Sequence, residues 1–296
     1  MSNHRGYCAI LGRPNVGKST LLNRLVGQKL AITSHKPQTT RHSILGIKTL
    51  DQGQAVFVDT PGIHLRGDQP MNRYLNRTAR SAGTDVDLIL FLVVAPDWTP
   101  EDEAVLETVG RGGAPVILLV NKVDQLRSKD LLLPYLAESA DRYGFEEIIP
   151  ISATKGDNLE QVEKAVITRL PEGENIFPDD QLTDRSERFL AAELIREQLT
   201  RRFAKEIPYA LTVEIEQFEE DGGLHRIAAI IWVERPGQRT IIIGKKGEAL
   251  KAVGTQARLG MEALFGRKVF LKLWVKVRKS WSSDEQALAR LGYTNH

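Results

Sequence analysis

The run Gly12-Arg13-Pro14-Asn15-Val16-Gly17-Lys18-Ser19 has the residue types and spacing of a loop that holds phosphate. Gly12 and Gly17 let the backbone wrap closely around an anion without side-chain clash. Successive N–H groups at the start of the helix that follows make an anion nest. Lys18 is placed to reach the β- and γ-phosphates, and the Ser19 hydroxyl to ligate Mg²⁺. The binding set on this loop is Gly12, Asn15, Val16, Gly17, Lys18, Ser19 and Thr20.

Asp59-Thr60-Pro61-Gly62 adds a carboxylate that can hold Mg²⁺ and a Gly62 N–H that can touch a γ-phosphate. Asn121-Lys122-Val123-Asp124 supplies a base reader. The Asp124 carboxylate can accept from guanine N1–H and the 2-amino group. Adenine offers neither donor, so it leaves that carboxylate unpaired, a difference of ~10⁴ or more in sites of this kind. Lys122 lies along the base, and Asn121 ties its loop to the phosphate loop. Ser152, Ala153 and Thr154 bring a backbone N–H to guanine O6. Each string is common alone; all of them in this order specify a guanine nucleotide site. In the polar segment before His42, Thr40 or Thr39 is the candidate Mg²⁺ and γ-phosphate sensor, with Thr40 favoured. Metal ligation thus falls to Ser19, Thr40 and Asp59, and catalysis to Lys18, Thr40, Asn15 and Gly62. Ile63 follows Gly62 where a glutamine would orient water, so slow intrinsic hydrolysis is expected. Asn15 is a candidate to hold K⁺ near the β–γ bridge.

These loops need rigid elements beneath them. Tyr7–Leu11, Ser43–Thr49, Gln54–Val58, Asp87–Val94, Val116–Val120 and Glu147–Ile151 read as strands. Lys18–Val26, Met71–Ser81, Glu101–Val109, Asp130–Tyr143 and Leu159–Leu170 read as helices. Each nucleotide motif follows a strand. The expected fold is α/β: a mostly parallel sheet with helices on both faces. The Pro-, Gly- and acid-rich stretch from Pro171 to Asp184 marks a boundary. The expected division is 1–171 for the nucleotide domain, 172–184 for the linker and 185–296 for an α+β domain.

In that second domain, helix Arg188–Phe203 precedes strands Tyr209–Phe218 and His225–Arg235, joined at Gly222-Gly223. Gly244-Lys245-Lys246-Gly247 then follows an apolar run and opens helix Glu248–Phe265. A G-x-x-G loop admits a single-stranded nucleic-acid backbone. The candidate RNA contacts are Ile243, Gly244, Lys245, Lys246, Gly247 and Lys251. The same pattern at Gly110–Gly113 lacks this setting. Strand Lys268–Val277 alternates Val269, Leu271, Leu273, Val275 and Val277 with Phe270, Lys272, Trp274 and Lys276. Asp284–Leu291 reads as a short last helix. Trp232, Trp274 and Trp281 are candidates to stack on bases, although Trp232 lies in an apolar strand and reads as core. From Arg239 to Trp281, eleven bases face only Glu248 and Glu262, an asymmetry that suits a polyanion.

Composition sets the outer limits. The chain has 296 residues, a net charge of +2 and 42% hydrophobic residues, enough for a core in each of two domains. No apolar stretch reaches membrane-spanning length, and no signal peptide is expected before Pro14. The lone cysteine, Cys8, excludes an internal disulfide and reads as core, in keeping with a reducing compartment. The histidines show no metal-ligand spacing.

GRPNVGKS, KPQTTRH, DTPG, NKVD, SAT and IIIGKKGEALK together resemble the Era family of bacterial ribosome-assembly GTPases, over nearly the whole chain. The order helix, strand, strand, G-x-x-G, helix, strand looks like a KH domain of the prokaryotic type. The resemblance implies GTP and GDP as ligands with Mg²⁺. It also implies binding of 16S ribosomal RNA near its 3′ end and action in assembly of the small (30S) ribosomal subunit. A cytoplasmic monomer with peripheral inner-membrane association is expected. The rival reading is a signalling GTPase whose C-terminal domain contacts protein or lipid.

Overall fold

The computed structural model describes residues 3–34, 39–61, 85–203, 207, 211–279, 281–284, 286 and 288. The described residues divide into two compact units. The first holds 3–31, 40–61 and 85–184; the second holds 32–34, 39 and those from 185 onward.

The first unit is built on β1 (His4–Leu11), β2 (Ile44–Leu50), β3 (Gly53–Asp59), β4 (Leu88–Val94), β5 (Val116–Asn121) and β6 (Glu147–Pro150). Their order in the sheet is β2-β3-β1-β4-β5-β6. Only the β2–β3 pair is antiparallel. Leu88 to Val93 and Val116 to Val120 are buried at every position, so both faces of the sheet are covered. That explains apolar runs without alternation. Helices α1 (Lys18–Val26), α2 (Pro100–Val109), α3 (Leu132–Ala140) and α4 (Leu159–Ile167) supply the cover. Val105, Leu106 and Val109 of α2 and Tyr135 of α3 pack with Ile89, Phe91, Leu118 and Val120. Thr99 caps α2: its hydroxyl accepts from the Asp102 N–H, and the Asp102 carboxylate accepts from the Thr99 N–H. This reciprocal pair, with Pro100 next, starts the helix cleanly.

Residues 171–184 form neither helix nor strand; they lie against the first unit. The Gln54 side chain accepts from the N–H groups of Ile176 and Phe177 and donates to the Phe177 carbonyl. The Ile47 N–H donates to the Leu182 carbonyl. Predicted helix Met71–Ser81 lies outside the described residues, as do Tyr209 and most of Asp284–Leu291.

The second unit has a three-stranded sheet, β7 (Leu211–Asp221), β8 (Leu224–Val233) and β9 (Lys268–Val277). β8 runs antiparallel to β7 and parallel to β9, which leaves β9 at one edge. Helices α5 (Glu187–Arg202) and α7 (Glu248–Phe265) pack on one face. Leu194, Leu199, Ile227, Ile231, Ala257 and Met261 share that core. Burying side chains of this size contributes roughly 1.5–3 kcal/mol each.

One expected element differs. The apolar run before Gly244 belongs to helix α6 (Pro236–Ile243), so the order gains a helix before the G-x-x-G loop. Ile241, Ile242 and Ile243 are β-branched and look strand-like. Pro236 in the first turn decides otherwise, with Gln238 accepting from the N–H groups of Glu234 and Arg235.

Candidate functional site

The nucleotide motifs meet at the ends of β1, β3, β5 and β6. Asn121 holds three of them together. Its Nδ2 donates to the Val16 carbonyl at 2.7 Å, and its Oδ1 accepts from the Ala153 N–H at 3.0 Å. Gly17 makes this approach feasible: its φ is +109°, and a Cβ there would stand 2.3 Å from Asn121 Nδ2. Lys122 Nζ donates to the Asn15 carbonyl at 2.7 Å, tying the base-reading loop to the phosphate loop a second time. Ser152 Oγ donates to Asp124 Oδ1 at 2.7 Å, which fixes the carboxylate and leaves lone pairs on both oxygens to accept from a base. Thr154 is exposed, and its carbonyl accepts from Arg24 Nη2. Thr20 lies in the first turn of α1, half-buried.

Lys18 is buried, and its ammonium donates to the Gly12 and Arg13 carbonyls at 2.9 and 3.1 Å. Burial pushes its pKa down to about 8, with Asp59 partly offsetting the shift and Arg13 adding to it. Such an ammonium gains from phosphate charge that it lacks in the bare loop.

Ser19, Thr40 and Asp59 converge. Ser19 Oγ donates to Asp59 Oδ2 at 2.7 Å and stands 2.8 Å from Thr40 Oγ1. Asp59 is fully buried, and its Oδ1 has no hydrogen-bond partner among the described residues. Burial raises its carboxyl to about 6, against the lowering by Ser19 and Lys18. Three oxygen donors in contact, one an orphaned buried carboxylate oxygen, fit Mg²⁺, a hard cation that takes oxygen ligands. Thr40, not Thr39, joins this group. Gly62, Ile63 and His64 lie outside the described residues. Asn15 is exposed, with the left-handed φ of +64°.

In the second unit, Gly244 to Gly247 form a tight turn between α6 and α7. Lys245 and Lys246 are exposed, and Ile243, Gly244 and Gly247 are half-buried. A groove of about 370 Å³ opens beside the turn. Gly247, Lys251 and Arg258 line its helix side, and Leu271 and Leu273 of β9 line the other. It offers an apolar floor for bases and cations for phosphate.

Residues 7–122 match a family described as 50S ribosome-binding GTPase, and residues 206–282 match the KH domain. Over 288 residues the chain is 57% identical to the GTPase Era of Ectopseudomonas mendocina, covering 97% of this chain and 96% of that protein. It is 56% identical to the GTPase Era of Azotobacter vinelandii over the same shares. This chain belongs to the GTPase Era family. Two solved Era structures superpose over 99% of this chain and the whole of theirs. One is a tyrosine-to-alanine variant of Aquifex aeolicus Era bound to GDP·AlF₄⁻, at 39% identity and a TM-score of 0.94. The other is Era in complex with MgGDPNP and nucleotides 1506–1542 of 16S ribosomal RNA, at 38% and 0.95.

Some contacts in this Era-family chain escape a sequence reading. Arg13 reaches Asp102 through Nε at 3.1 Å to both carboxylate oxygens, so α2 braces the phosphate loop. The capping pattern Thr99-x-x-Asp102 predicts the helix start, but not this long-range partner. On α5, Glu193 and Arg196 form a buried ion pair of 2.6 Å. Arg196 donates to the Thr39 carbonyl, and Glu197 accepts from the Thr33 N–H at 3.0 Å. Two tryptophan expectations change. Trp281 is fully buried and unavailable for stacking. Trp232 is half-buried on the sheet face away from the helices, its Nε1 donating to Glu214 at 2.7 Å. Cys8 is buried in β1, as expected. Among the described residues no helix is long and apolar enough to cross a membrane.

Proposed function

We propose that this Era-family GTPase is a switch that binds and hydrolyses GTP with Mg²⁺ and binds single-stranded 16S rRNA near its 3′ end, acting in assembly of the 30S subunit. The observation that carries the reading is the groove beside Gly244–Gly247, joined in one chain to the converging motifs of a guanine nucleotide site. The assigned division is 1–171 for GTP binding, 172–184 as connector and 185–296 for RNA. Asp124 reads guanine with its carboxylate held by Ser152, Asn121 ties the loops together, and the Ser152–Thr154 loop carries the N–H for O6. Gly12, Val16, Gly17 and Thr20 shape and line the phosphate cradle with Lys18. Ser19, Thr40 and Asp59 hold Mg²⁺, which supplies positive charge against phosphate oxygens when bound. Asn15 holds K⁺ near the reacting phosphates; equal turnover in sodium and potassium buffers would remove that role.

The switch reading is supported by the path of one segment. Residues 32–34 and 39 belong to the second unit, held by Arg196 and Glu197, while Thr40 sits on Ser19 in the first. A ligand that draws Thr40 toward a γ-phosphate therefore pulls on a chain anchored to the RNA-binding unit. The protein acts as a cytoplasmic monomer, with peripheral inner-membrane contact, as the family likeness implies; vesicle flotation tests the contact.

Titration of the protein with a single-stranded 16S 3′-end RNA across a salt series tests the RNA reading. Binding should fall with salt and drop sharply in the double variant K245E/K246E. Binding indifferent to those lysines and to sequence would remove it and leave the GTPase.

A further inference from the structure

β9 is an edge strand with two different faces. Leu271 and Leu273 point into the groove beside Gly247. Phe270, Lys272, Trp274 and Lys276 point the opposite way, to the sheet face that α5 and α7 leave open. Phe270 is 45% exposed and Trp274 43%, large apolar areas to leave in water on a sheet that has a core elsewhere. Cations sit by these rings. Lys272 Nζ lies 5.6 Å from the Phe270 centroid, and the Arg226 guanidinium lies 5.9 Å from it. Lys276 lies 5.8 Å from the Trp232 ring one strand in.

Same-face residues on a strand recur every ~6.6–6.8 Å, so Phe270 and Trp274 stand ~13 Å apart with Lys272 midway. That is close to the span of two nucleotides in an extended strand, with a cation between the bases. Acids lie across the sheet on β7, where Glu214 binds Trp232 and Glu216 faces Lys276 at 3.9 Å. They confine an anionic strand to the β9 edge. β9 itself carries Lys268, Lys272 and Lys276 and no acid. Lys251 and Arg258 lie on the other side of β9, in the groove, so basic side chains flank this edge strand on both faces.

We infer that an RNA strand leaving the Gly244–Gly247 groove turns over the β9 edge and stacks bases on Phe270 and Trp274, with phosphates on Lys272 and Lys276. This second stacking surface rests on the RNA reading above, and it lengthens the stretch of RNA that one domain holds. Basic charge interleaved with rings favours nucleic acid over an apolar protein partner.

Two labelled oligonucleotides of the 16S 3′-end sequence test it by fluorescence anisotropy. One has about four nucleotides, the length that a KH groove clamps; the other extends well past it. The double variant F270A/W274A should bind the longer RNA roughly tenfold or more weakly, with the short RNA unaffected. W274F, which keeps a ring, should bind the longer RNA nearly as wild type does. Circular dichroism of both variants checks that these exposed sites leave the fold intact. Wild-type and F270A/W274A proteins binding the longer RNA equally would overturn the inference and leave this face to protein contact. Loss of the short RNA alone, with the longer one still dependent on the rings, would overturn the groove reading instead.

Discussion

Asn121 ties the nucleotide motifs to one another. Its amide satisfies a buried carbonyl of Val16 and a buried N–H of Ala153. The variant N121A leaves both unpaired, at roughly 1–3 kcal/mol each. Urea unfolding of the nucleotide-free protein should show a loss of ~2–5 kcal/mol, with GTP affinity falling alongside; an unchanged midpoint would contradict this coupling. Asp59 behaves in the opposite sense. Its folded pKa, about 6, lies above the ordinary 3.8. The stability tied to its protonated form is therefore present below 3.8 and lost as pH rises through 6. At pH 8 the buried carboxylate works against the nucleotide-free fold, a cost that a bound Mg²⁺ would offset. D59N should melt at or above the wild-type temperature without ligand, yet gain nothing from Mg²⁺ added to GDP. Thermal melts with and without Mg²⁺ check this, and a wild-type Mg²⁺ response in D59N would refute ligation by Asp59.

Elements decide how these side chains are delivered. Gly244 has φ +70° and ψ 179°, and a Cβ there would stand 2.6 Å from the Ala249 Cβ. G244A should therefore disturb the turn between α6 and α7 and weaken RNA binding tenfold or more, with GTP hydrolysis retained. Equal RNA affinity in G244A would show that the turn geometry is irrelevant. The strands under the nucleotide motifs and helices α1 and α7 were legible because their signals are local. β4 and β5 are apolar runs of strand length, α1 lies between Gly17 and Gly27, and α7 lies between Gly247 and Gly266. α6 was not legible as a helix, because three successive isoleucines carry a β-like pattern that tertiary context overrides. The partners of Arg13 and Thr39 were not legible either. Asp102 and Arg196 stand far away in sequence, and no spacing rule relates them. Trp281 illustrates the same limit: its residue type suits stacking, but only packing reveals that it is buried.

At the scale of the whole molecule, the chain joins a nucleotide sensor to an RNA groove. The segment that carries Thr40 is anchored on α5 through Glu197 and Arg196. With Thr40 in the sensor role proposed above, a γ-phosphate and Mg²⁺ would act on a chain segment whose residues Thr33 and Thr39 are held by Glu197 and Arg196. Coupling of this kind is reciprocal: if GTP strengthens RNA binding, RNA strengthens GTP binding by the same factor. The most direct measurement is the affinity for a single-stranded 16S 3′-end RNA at one salt concentration, with Mg²⁺ and either a non-hydrolysable GTP analogue or GDP, in wild type and T40A. Binding should be tighter with the analogue in wild type, about fivefold or more, with no difference in T40A. Equal affinity in the two nucleotide states of the wild type would contradict the coupling.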